Sequence, residues 1–366
     1  MRSEHAPSTI ALVGTRGIPA RYGGFETAVE EIGRRLVNRG HSITVYGREP
    51  DGNYLGMESV RVRSSSVQQL ETLTRSVSSA RSMRKRTFDA AIIFNVASAP
   101  LLRLFDVPVK ILNVDGLESQ RSKWSRLGRR YFRACERVAA RSARAGRVVL
   151  VADSGGIAAY YRQRYGVRSE VVPYGAPEIK RQDYPAALLP ESLIPNQFYL
   201  VVARLEPENQ VHIAVEAYAK SRRRWPLVVV GDNAYDSTYA RELTKSARHA
   251  GAIMTGRVDN QVVLNALYAH AGAYIHGHSV GGTNPSLLRA HGAGAPILNY
   301  DCVFNREVSR DSADYWSDST SLAQHMDHYA TSDPRQDSPE SIRQDILARY
   351  DWDRVTDDYE RLALGG

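Results

Sequence analysis

Arg204 is the residue whose type and position point most directly to chemistry. It follows the apolar run FYLVVA (198–203), which is typical of a buried strand, and it begins the polar segment RLEPEN. Open α/β sheets bind ligands at the carboxyl ends of their strands, and a guanidinium can hold two phosphate oxygens at once. Glu208 and Asn209 are expected to open the next helix. The pattern predicts a phosphate-binding arginine; a surface Arg–Glu pair with helix capping is the alternative.

A second loop, HGHSVGGTNPSLL (276–288), also leaves an apolar run and enters a predicted helix. Proline suits a first helical turn, and either Thr283 or Asn284 can cap the helix. The free backbone amides of Gly282–Ser286 would then point at one place, and such amides at a helix N-terminus bind anions. The loop therefore predicts an anion cradle.

The same loop carries two histidines. His276 and His278 alternate along the predicted strand end, so only one of them is expected to face a ligand. For each histidine alone, a structural role is the favoured interpretation.

A third loop, GTRGIPARYGGFE (14–26), joins the first predicted strand to the first helix. Gly17, Gly23 and Gly24 allow a ligand to approach the backbone closely, and the helix dipole favours an anion there. The loop is not a dinucleotide-binding fingerprint, because Arg16 and Pro19 stand where GxGxxG needs glycines. It favours contact with a pyrophosphate or a sugar; glycines that serve only a tight turn are the alternative.

Asp115 is a carboxylate at the end of a predicted strand of the first half, in NVDGLESQRSKW (113–124). At that position it could hold sugar hydroxyls or help to position an acceptor. The alternative is that Asp115 caps the N-terminus of a helix.

The elements that must position these loops alternate between short apolar runs and longer amphipathic stretches. Runs rich in Val, Ile and Leu that alternate with helices indicate parallel sheets covered on both faces. Two such series, separated by a passage with Pro185, Pro190 and Pro195, indicate two Rossmann-like domains. The expected ranges are 1–180 and 195–337, followed by a helical segment over 338–366.

The stretch 121–147 is predicted to be a basic amphipathic helix. Its apolar residues recur every three or four positions and should face the core, namely Trp124, Leu127, Tyr131, Cys135 and Val138. The first 150 residues hold 26 Lys and Arg against 13 Asp and Glu, a net charge of +13, and the remainder carries −5. A solvated charged face and contact with an anionic membrane are both compatible with this helix. Nucleic-acid binding is disfavoured, because no reading motif accompanies the charge.

Several classes of protein are disfavoured. No apolar run approaches the ~20 residues that span a bilayer, and the polar start MRSEHAPSTIALVG predicts no signal peptide. Cys135 and Cys302 stand alone, and the histidines form no HExxH pair, so neither a disulfide scaffold nor a zinc hydrolase is expected. We expect a cytoplasmic protein, free or peripheral at the inner face of the membrane, with no essential metal and no nucleic-acid partner.

Taken together, these motifs resemble the retaining family 4 nucleotide-sugar glycosyltransferases. Their GT-B fold has two Rossmann-like domains that face each other across a cleft. The most similar subgroup is the bacterial, rhamnosyltransferase-like one that opens with GTRGIPARYGGFET. The segments that carry the resemblance are GTRGIPARYGGFET (14–27), VDGLE (114–118), VADSGGI (151–157), VVPYGA (171–176), VARLEPEN (202–209), HGHSVGGTNPSLL (276–288) and YDCVFNREV (300–308).

The resemblance implies transfer of a sugar from a nucleoside diphosphate donor to a hydroxyl acceptor, in polysaccharide, glycolipid or natural-product biosynthesis. TDP-rhamnose is the first donor expected from the subgroup, and a UDP-sugar is the alternative. The donor would lie mainly on the second domain, the acceptor on the first, and the C-terminal helix would cross back to the first domain. Arg204 matches the family's diphosphate-binding arginine, and Asp115 falls where many members place a histidine near the reacting sugar. The donor-binding residues would be Gly23, Gly24, Arg204, Glu208, Asn209, His278, Gly281, Gly282, Thr283, Asn284, Ser286, Leu287 and Arg289.

The sequence departs from the family pattern at three places. Glu208 and Asn209 stand where the family often has a lysine. Gly281 and Arg289 replace two glutamates, the first near the sugar and the second at the ribose hydroxyls. Arginine has donors only, so it cannot accept a hydrogen bond from a ribose hydroxyl.

The resemblance also implies a mechanism, in which Arg204 and loop amides stabilise the charge that develops on the departing diphosphate. Retention without a covalent enzyme intermediate is expected, with the departing phosphate taking the acceptor's proton. Arg289 leaves open a second class of function, a non-catalytic sugar-nucleotide binder or partner subunit. A nucleotide-sugar epimerase of the same fold is the third class.

Overall fold

The computed structural model describes residues 6–20, 23–65, 68–222, 224–232, 237–332 and 340–365. Its contacts divide these residues into two α/β units. The first unit contains the described residues of 1–120, 124–174 and 351–366, and the second contains 121–123 and those of 175–350. The chain thus passes to the second unit at Tyr174, with a three-residue segment, Arg121–Lys123, already belonging to it.

The first unit is built on an eight-stranded sheet. Strand order is β3-β4-β2-β1-β5-β6-β7-β8, with β3 and β4 antiparallel and the other neighbours parallel. Ile10 on the central strand pairs with Ile43 on one side and Ala90 on the other. The elements are β1 (Thr9–Val13), α1 (Gly24–Asn38), β2 (Ser42–Gly47), β3 (Gly52–Tyr54), β4 (Met57–Arg61), α2 (Gln68–Met83), β5 (Ala90–Phe94), β6 (Val109–Asn113), α3 (Arg126–Arg144), β7 (Val149–Ala152), α4 (Gly155–Tyr165) and β8 (Glu170–Val171).

The second unit is built on a six-stranded parallel sheet with the order β11-β10-β9-β12-β13-β14. Leu200 on β9 pairs with Val228 and with Tyr274, and the core beneath the sheet buries Trp316 and Met326. The elements are β9 (Tyr199–Val202), α5 (Val211–Lys220), β10 (Leu227–Val230), α6 (Thr238–Ala250), β11 (Ile253–Gly256), α7 (Gln261–His270), β12 (Ala273–His276), α8 (Pro285–Gly292), β13 (Ile297–Tyr300), α9 (Val303–Ser309), β14 (Asp314–Trp316), α10 (Ser319–Tyr329) and α11 (Glu340–Arg349).

The C-terminal segment contains two helices, so the expectation of a single helix within 338–366 was wrong. The helix α11 packs on α8 in the second unit, whereas α12 (Trp352–Ala363) packs on α1 in the first. The break lies at Asp351, whose side chain accepts the amides of Asp353 and Arg354 and so starts a new helix.

The basic helix also begins later than expected. Ser125 caps α3 by accepting the amide of Gly128, so residues 121–123 are not helical. Leu127, expected in the core-facing stripe, is 77% exposed, while Phe132 and Cys135 are buried. Within the described parts of the chain, no helix is long and apolar enough to cross a membrane.

Each sheet has one point where the strand order reverses direction along the chain. In the first unit this point lies between β1 and β5, and in the second it lies between β9 and β12. Loops that leave two such neighbouring strands diverge to opposite faces of the sheet and leave a crevice at the carboxyl edge. The candidate site residues follow these four strands or their neighbours.

Candidate functional site

Arg204 lies at the reversal point of the second sheet, two residues after β9 ends. Its backbone oxygen accepts a 2.7 Å hydrogen bond from the Asn209 side-chain amide, which closes the loop on itself. Its side chain is 42% exposed, and one guanidinium nitrogen lies 3.5 Å from a carboxylate oxygen of Glu206. The guanidinium is therefore both anchored and accessible to a ligand.

Glu206 is the centre of a cluster of positive charge. The Lys123 ammonium lies 3.5 Å from Oε1, the oxygen that also faces Arg204, and the Arg121 guanidinium lies 3.8 Å from Oε2. Glu206 is buried, and its Oε2 accepts no hydrogen bond from the described residues. Three cations thus surround one carboxylate.

Arg121, Lys123 and Glu206 were missed as site residues. Arg121 and Lys123 had been assigned to a helix, although Ser125 followed by Arg126–Gly128 is an N-cap signal that would have left them in a loop. Nothing in the spacing could have revealed their contact with Glu206, because more than eighty positions separate them along the chain.

Glu208 and Asn209 have supporting roles in this geometry. The Glu208 carboxylate accepts hydrogen bonds of 3.0 Å from the Ser122 hydroxyl and from the Lys123 amide. Burial opposes its ionisation, but backbone donors outweigh that effect and lower the pKa of Glu208. Contrary to expectation, both residues lie in a 3-10 turn (Pro207–Asn209), and the helix proper begins at Val211.

His276 and His278 stack on each other, with ring centroids 4.5 Å apart and planes 13° from parallel. The two rings lie on the same side, as the side chains of residues two apart in a strand do, so they do not point to opposite faces as the expectation implied. Burial lowers the pKa of His276 to about 3 and that of His278 well below its usual value; for His278 the charges of Arg204 and Arg121 add to the effect. Both rings are therefore neutral at physiological pH.

The loop after β12 is tied to its neighbours by hydrogen bonds. The Ser279 amide and hydroxyl both donate to the Glu208 carbonyl at 2.9 Å, and the Asn305 side chain donates to the His278 carbonyl at 2.9 Å. Only a glycine fits at position 277, where a Cβ would overlap the Asn209 carbonyl. The loop is thus held between the segments that follow β9 and β13.

The anion cradle is shorter than the sequence suggested. Asn284 caps α8 by accepting the Ser286 amide at 2.9 Å, and Pro285 has no amide hydrogen. Gly281 adopts a φ of 151° and brings its backbone near the Arg121 guanidinium. Thr283, within the turn that precedes this cap, is buried.

Arg289 and Leu287 lie further along α8. Arg289 donates a 2.8 Å hydrogen bond to the side-chain oxygen of Gln261 at the start of α7, and Leu287 is fully buried. Among the described residues, no recorded hydrogen bond or ion pair joins Arg289 to Glu206 or Arg204.

The glycine loop of the first unit surrounds a side-chain carboxylate. Gly23 is the N-cap of α1, Gly24 is its first residue, and residues 21 and 22 lie outside the described part of the chain. The Glu26 carboxylate accepts the Arg16 amide at 3.0 Å, and burial raises its pKa. The protein's own carboxylate therefore lies beside the helix N-terminus where we expected an external anion.

Asp115 follows β6 with a φ of 57°, a left-handed conformation that is uncommon outside glycine. Its amide donates to the Asn113 side chain at 2.9 Å. Asp115 does not cap a helix, because the 3-10 turn that follows it in the chain begins at Glu118, three residues later. Its negative charge helps to raise the pKa of buried Tyr174 and Tyr359, so these groups lie close together.

Among the described residues, no three His, Cys, Asp or Glu side chains come together in a ligating arrangement for a metal ion.

The sequence matches two family models in succession. Residues 23–175 match the glycosyl transferase 4-like domain, and residues 191–340 match the glycosyl transferases group 1 domain. Together the two matches span most of the chain. The chain is a glycosyltransferase of the GT-B fold.

Solved structures of low sequence identity share the glycosyltransferase's fold. Sucrose-phosphate synthase from Thermosynechococcus elongatus is 16% identical with a TM-score of 0.78, covering 97% of this chain and 98% of its own. WaaG, a glycosyltransferase involved in lipopolysaccharide biosynthesis, is 17% identical with a TM-score of 0.73, covering 98% and 100%. HepE from Anabaena, solved in complex with UDP-glucose, is 14% identical with a TM-score of 0.69, covering 98% and 99%. No curated protein sequence matches the glycosyltransferase.

Proposed function

We propose that this glycosyltransferase moves a sugar from a nucleoside diphosphate donor, TDP-rhamnose or a UDP-sugar, to a hydroxyl acceptor with retention. The acceptor belongs to polysaccharide, glycolipid or natural-product biosynthesis. The observation that carries the proposal is the anchored, accessible Arg204 at the reversal point of the second sheet, inside a cluster of positive charge. The UDP and UDP-glucose complexes of HepE, which shares the fold, support the class of donor.

Arg204 assists the step that breaks the bond between the sugar and the diphosphate. Negative charge grows on the leaving oxygen in the transition state, and a preorganised guanidinium stabilises that charge more than it stabilises the ground state. Arg204 is therefore proposed as the catalytic group of the second unit, with backbone donors of the 282–284 turn beside it. The proposed donor-binding set is Arg204, Glu208, Asn209, His278, Gly281, Gly282, Thr283, Asn284, Ser286, Leu287 and Arg289, of which Glu208, Asn209 and Leu287 act by supporting the loops.

Asp115, Gly23 and Gly24 are proposed as the first unit's contribution. The left-handed backbone at Asp115 is a strained conformation that surrounding structure has to maintain, and such positions are often functional. Its carboxylate is proposed to accept hydrogen bonds from sugar or acceptor hydroxyls.

Retention without a covalent intermediate is proposed because the carboxylates next to Arg204 are engaged. Glu206 faces three cations, and Glu208 accepts two hydrogen bonds, so neither is placed as a free nucleophile. The acceptor oxygen would then bond to the sugar carbon as the diphosphate leaves, and its proton would pass to a phosphate oxygen.

We also propose that the exposed face of α3 contacts an anionic membrane. Arg126, Arg130, Arg133 and Arg137 form a stripe along this face, and none of them forms an ion pair with a residue that the structure describes. Leu127, at the start of the stripe, offers an apolar side chain that is 77% exposed. Basic residues beside an anionic membrane each contribute about 1 kcal/mol.

The test of donor binding is the melting temperature measured with UDP, TDP and their sugar conjugates at millimolar concentration. A ligand at 100 times its dissociation constant stabilises the native state by about 2.7 kcal/mol, so a selective rise in melting temperature is expected for one nucleotide class. Arg204→Ala should abolish the rise and most turnover. A protein that no nucleoside diphosphate stabilises, or an Arg204→Ala variant with near wild-type transfer, would contradict the proposal.

A further inference from the structure

The charge cluster around Glu206 contains more positive charge than its own carboxylate neutralises. Arg204, Lys123 and Arg121 carry three positive charges at distances of 3.5, 3.5 and 3.8 Å from the Glu206 carboxylate, and with the neighbouring Glu208 carboxylate included the net charge is +1. The three cations and Glu206 are between 11% and 42% exposed, so water screens them only in part. Such a surplus attracts an anion.

The segment that supplies two of these cations is held in position by the backbone as well as by charge. Glu208 accepts both the Ser122 hydroxyl and the Lys123 amide at 3.0 Å. These bonds fix residues 122 and 123 against the 3-10 turn that follows Arg204, and the Lys123 side chain then reaches the same carboxylate oxygen as Arg204 does. The Glu208 carboxylate is a positioning group for Lys123.

Unsatisfied polar atoms around the cluster favour a ligand there. The buried Glu206 Oε2 accepts no hydrogen bond, and neither His276 Nε2, with the residue only 1% exposed, nor His278 Nδ1 has a hydrogen-bond partner among the described residues. Buried polar atoms without partners are rare in proteins and often mark a place that a ligand completes.

We propose that Lys123 and Arg121 bind the diphosphate of the donor together with Arg204. The segment that follows Arg204 has Glu208 and Asn209 and contains no second cation. Lys123 and Arg121 supply positive charge beside it. Without a ligand, the three cations lie around the Glu206 carboxylate. A diphosphate binds them more strongly than this carboxylate does, because it has more oxygens and more negative charge. This inference rests on the proposed function and names residues that deepen it.

The test is UDP and TDP binding measured by isothermal titration calorimetry. Lys123→Met should raise the dissociation constant of the preferred diphosphate about 10- to 100-fold, the range for losing a charge-assisted contact. The loss should be much smaller for the nucleoside without phosphates, and Lys123→Arg should retain most of the affinity. Glu206→Gln should tighten diphosphate binding several-fold, because a competing anion is removed.

Lys180→Met is the matched control. Lys180 belongs to the same unit and also lies 3.5 Å from a glutamate carboxylate, that of Glu178, so its loss should leave binding within twofold. Circular dichroism of each variant checks that it is folded.

The outcomes separate this inference from the proposed function. If Arg204→Ala weakens diphosphate binding and Lys123→Met does not, the donor site stands and the role of Lys123 is refuted. Equal loss for nucleoside and diphosphate would show that Lys123 only supports the loop, which also refutes the inference. A wild-type protein that binds neither UDP nor TDP overturns both.

Discussion

Two stacked imidazoles make the second unit sensitive to acid. His276, His278 and, on α8, His291 are buried, and burial lowers the pKa of His276 and His291 to about 3 and that of His278 well below its usual range. In the unfolded chain these groups take up protons near pH 6.5. Because the native state holds them neutral, their contribution to stability is present above pH 6.5 and is lost as the pH falls below it.

We predict that the free energy of unfolding falls between pH 6.5 and pH 4.5 and that His276→Phe reduces this slope. Each buried histidine contributes up to about 1.4 kcal/mol per pH unit in that range. The measurement is urea denaturation at several pH values. His249→Gln, on the exposed face of α6, is the control and should keep the wild-type slope. An unchanged slope for His276→Phe would contradict the prediction.

For single residues, the sequence predicted site residues that directly follow strands. It did not predict the residues from distant parts of the chain that contact them. Arg204 and His278 were proposed because they follow apolar runs, and Gly281 through the family resemblance. Arg204 lies beside Glu206, and His278 and Gly281 lie near Arg121. Lys123 was missed because its position depends on hydrogen bonds to Glu208, which only the folded chain brings near.

The C-terminal helix α12 belongs to the first unit, and a network of hydrogen bonds and ion pairs joins it to the rest of that unit. The His41 Nδ1 accepts the Ser8 amide, so its Nε2 donates to Glu360 at 2.8 Å. Arg39 donates to the other carboxylate oxygen of Glu360, and Tyr359 accepts from the Asn113 side chain at 2.8 Å. The carboxylate is buried, so the loss of its charge would leave these donors poorly satisfied.

We predict that Glu360→Gln destabilises the protein by about 1.5–3 kcal/mol, the range for hydrogen bonds to a buried charged group. Burial raises the pKa of Glu360, but His41 and Arg39 outweigh it and the pKa lies below its usual value. The effect of the substitution should therefore be full above about pH 4.5 and shrink as the pH falls through the native pKa. Chemical denaturation at pH 7 and pH 3.5 tests this. Asp358→Asn, on the same helix with a side chain 42% exposed, should cost less than 1 kcal/mol.

The helix α3 carries the other prediction at this scale. Replacing three arginines of its exposed face should weaken binding to vesicles with anionic lipid about 100-fold, at about 1 kcal/mol per residue. The binding should also fall as salt is raised. Binding is measured by co-sedimentation with anionic and with neutral vesicles, using the triple variant Arg130→Gln, Arg133→Gln, Arg137→Gln.

The matched control is a triple variant of exposed residues on α6, which should bind vesicles like the wild type: Arg241→Gln, Lys245→Gln and Arg248→Gln. Equal binding by both triple variants would contradict the proposal.

Most strands follow from the sequence as apolar runs, and interior strands of the two sheets such as β5 and β10 are fully buried. The strands that were not foreseen are short or polar: β3 is GNY and β8 has two residues. The start of α3 was misplaced because apolar spacing at Trp124 and Leu127 outweighed the capping signal of Ser125. Periodicity finds a buried face, whereas the ends of helices depend on single hydrogen bonds.

The position of the donor can be tested by comparing hydrogen exchange in the two units with and without nucleotide. We predict that UDP or TDP slows amide hydrogen exchange in the second unit, at 203–210 and 277–284, by up to about 100-fold at 100 times the dissociation constant. The strands β2 and β4 of the first unit should exchange at their unliganded rate. Hydrogen-exchange mass spectrometry with and without nucleotide is the measurement. Protection confined to the first unit would contradict the placement of the donor.

The division of the chain has a consequence for its synthesis. The first unit is assembled from residues on both sides of the second, because α12 packs against α1, β5 and β6. A ribosome that adds about 5–20 residues per second makes the whole of 175–350 before α12 exists, a delay on the order of ten seconds or more. During that time the surface that later receives Trp352, Val355 and Tyr359 is open to water and to chaperones. The N-terminal unit, although translated first, therefore completes its fold last.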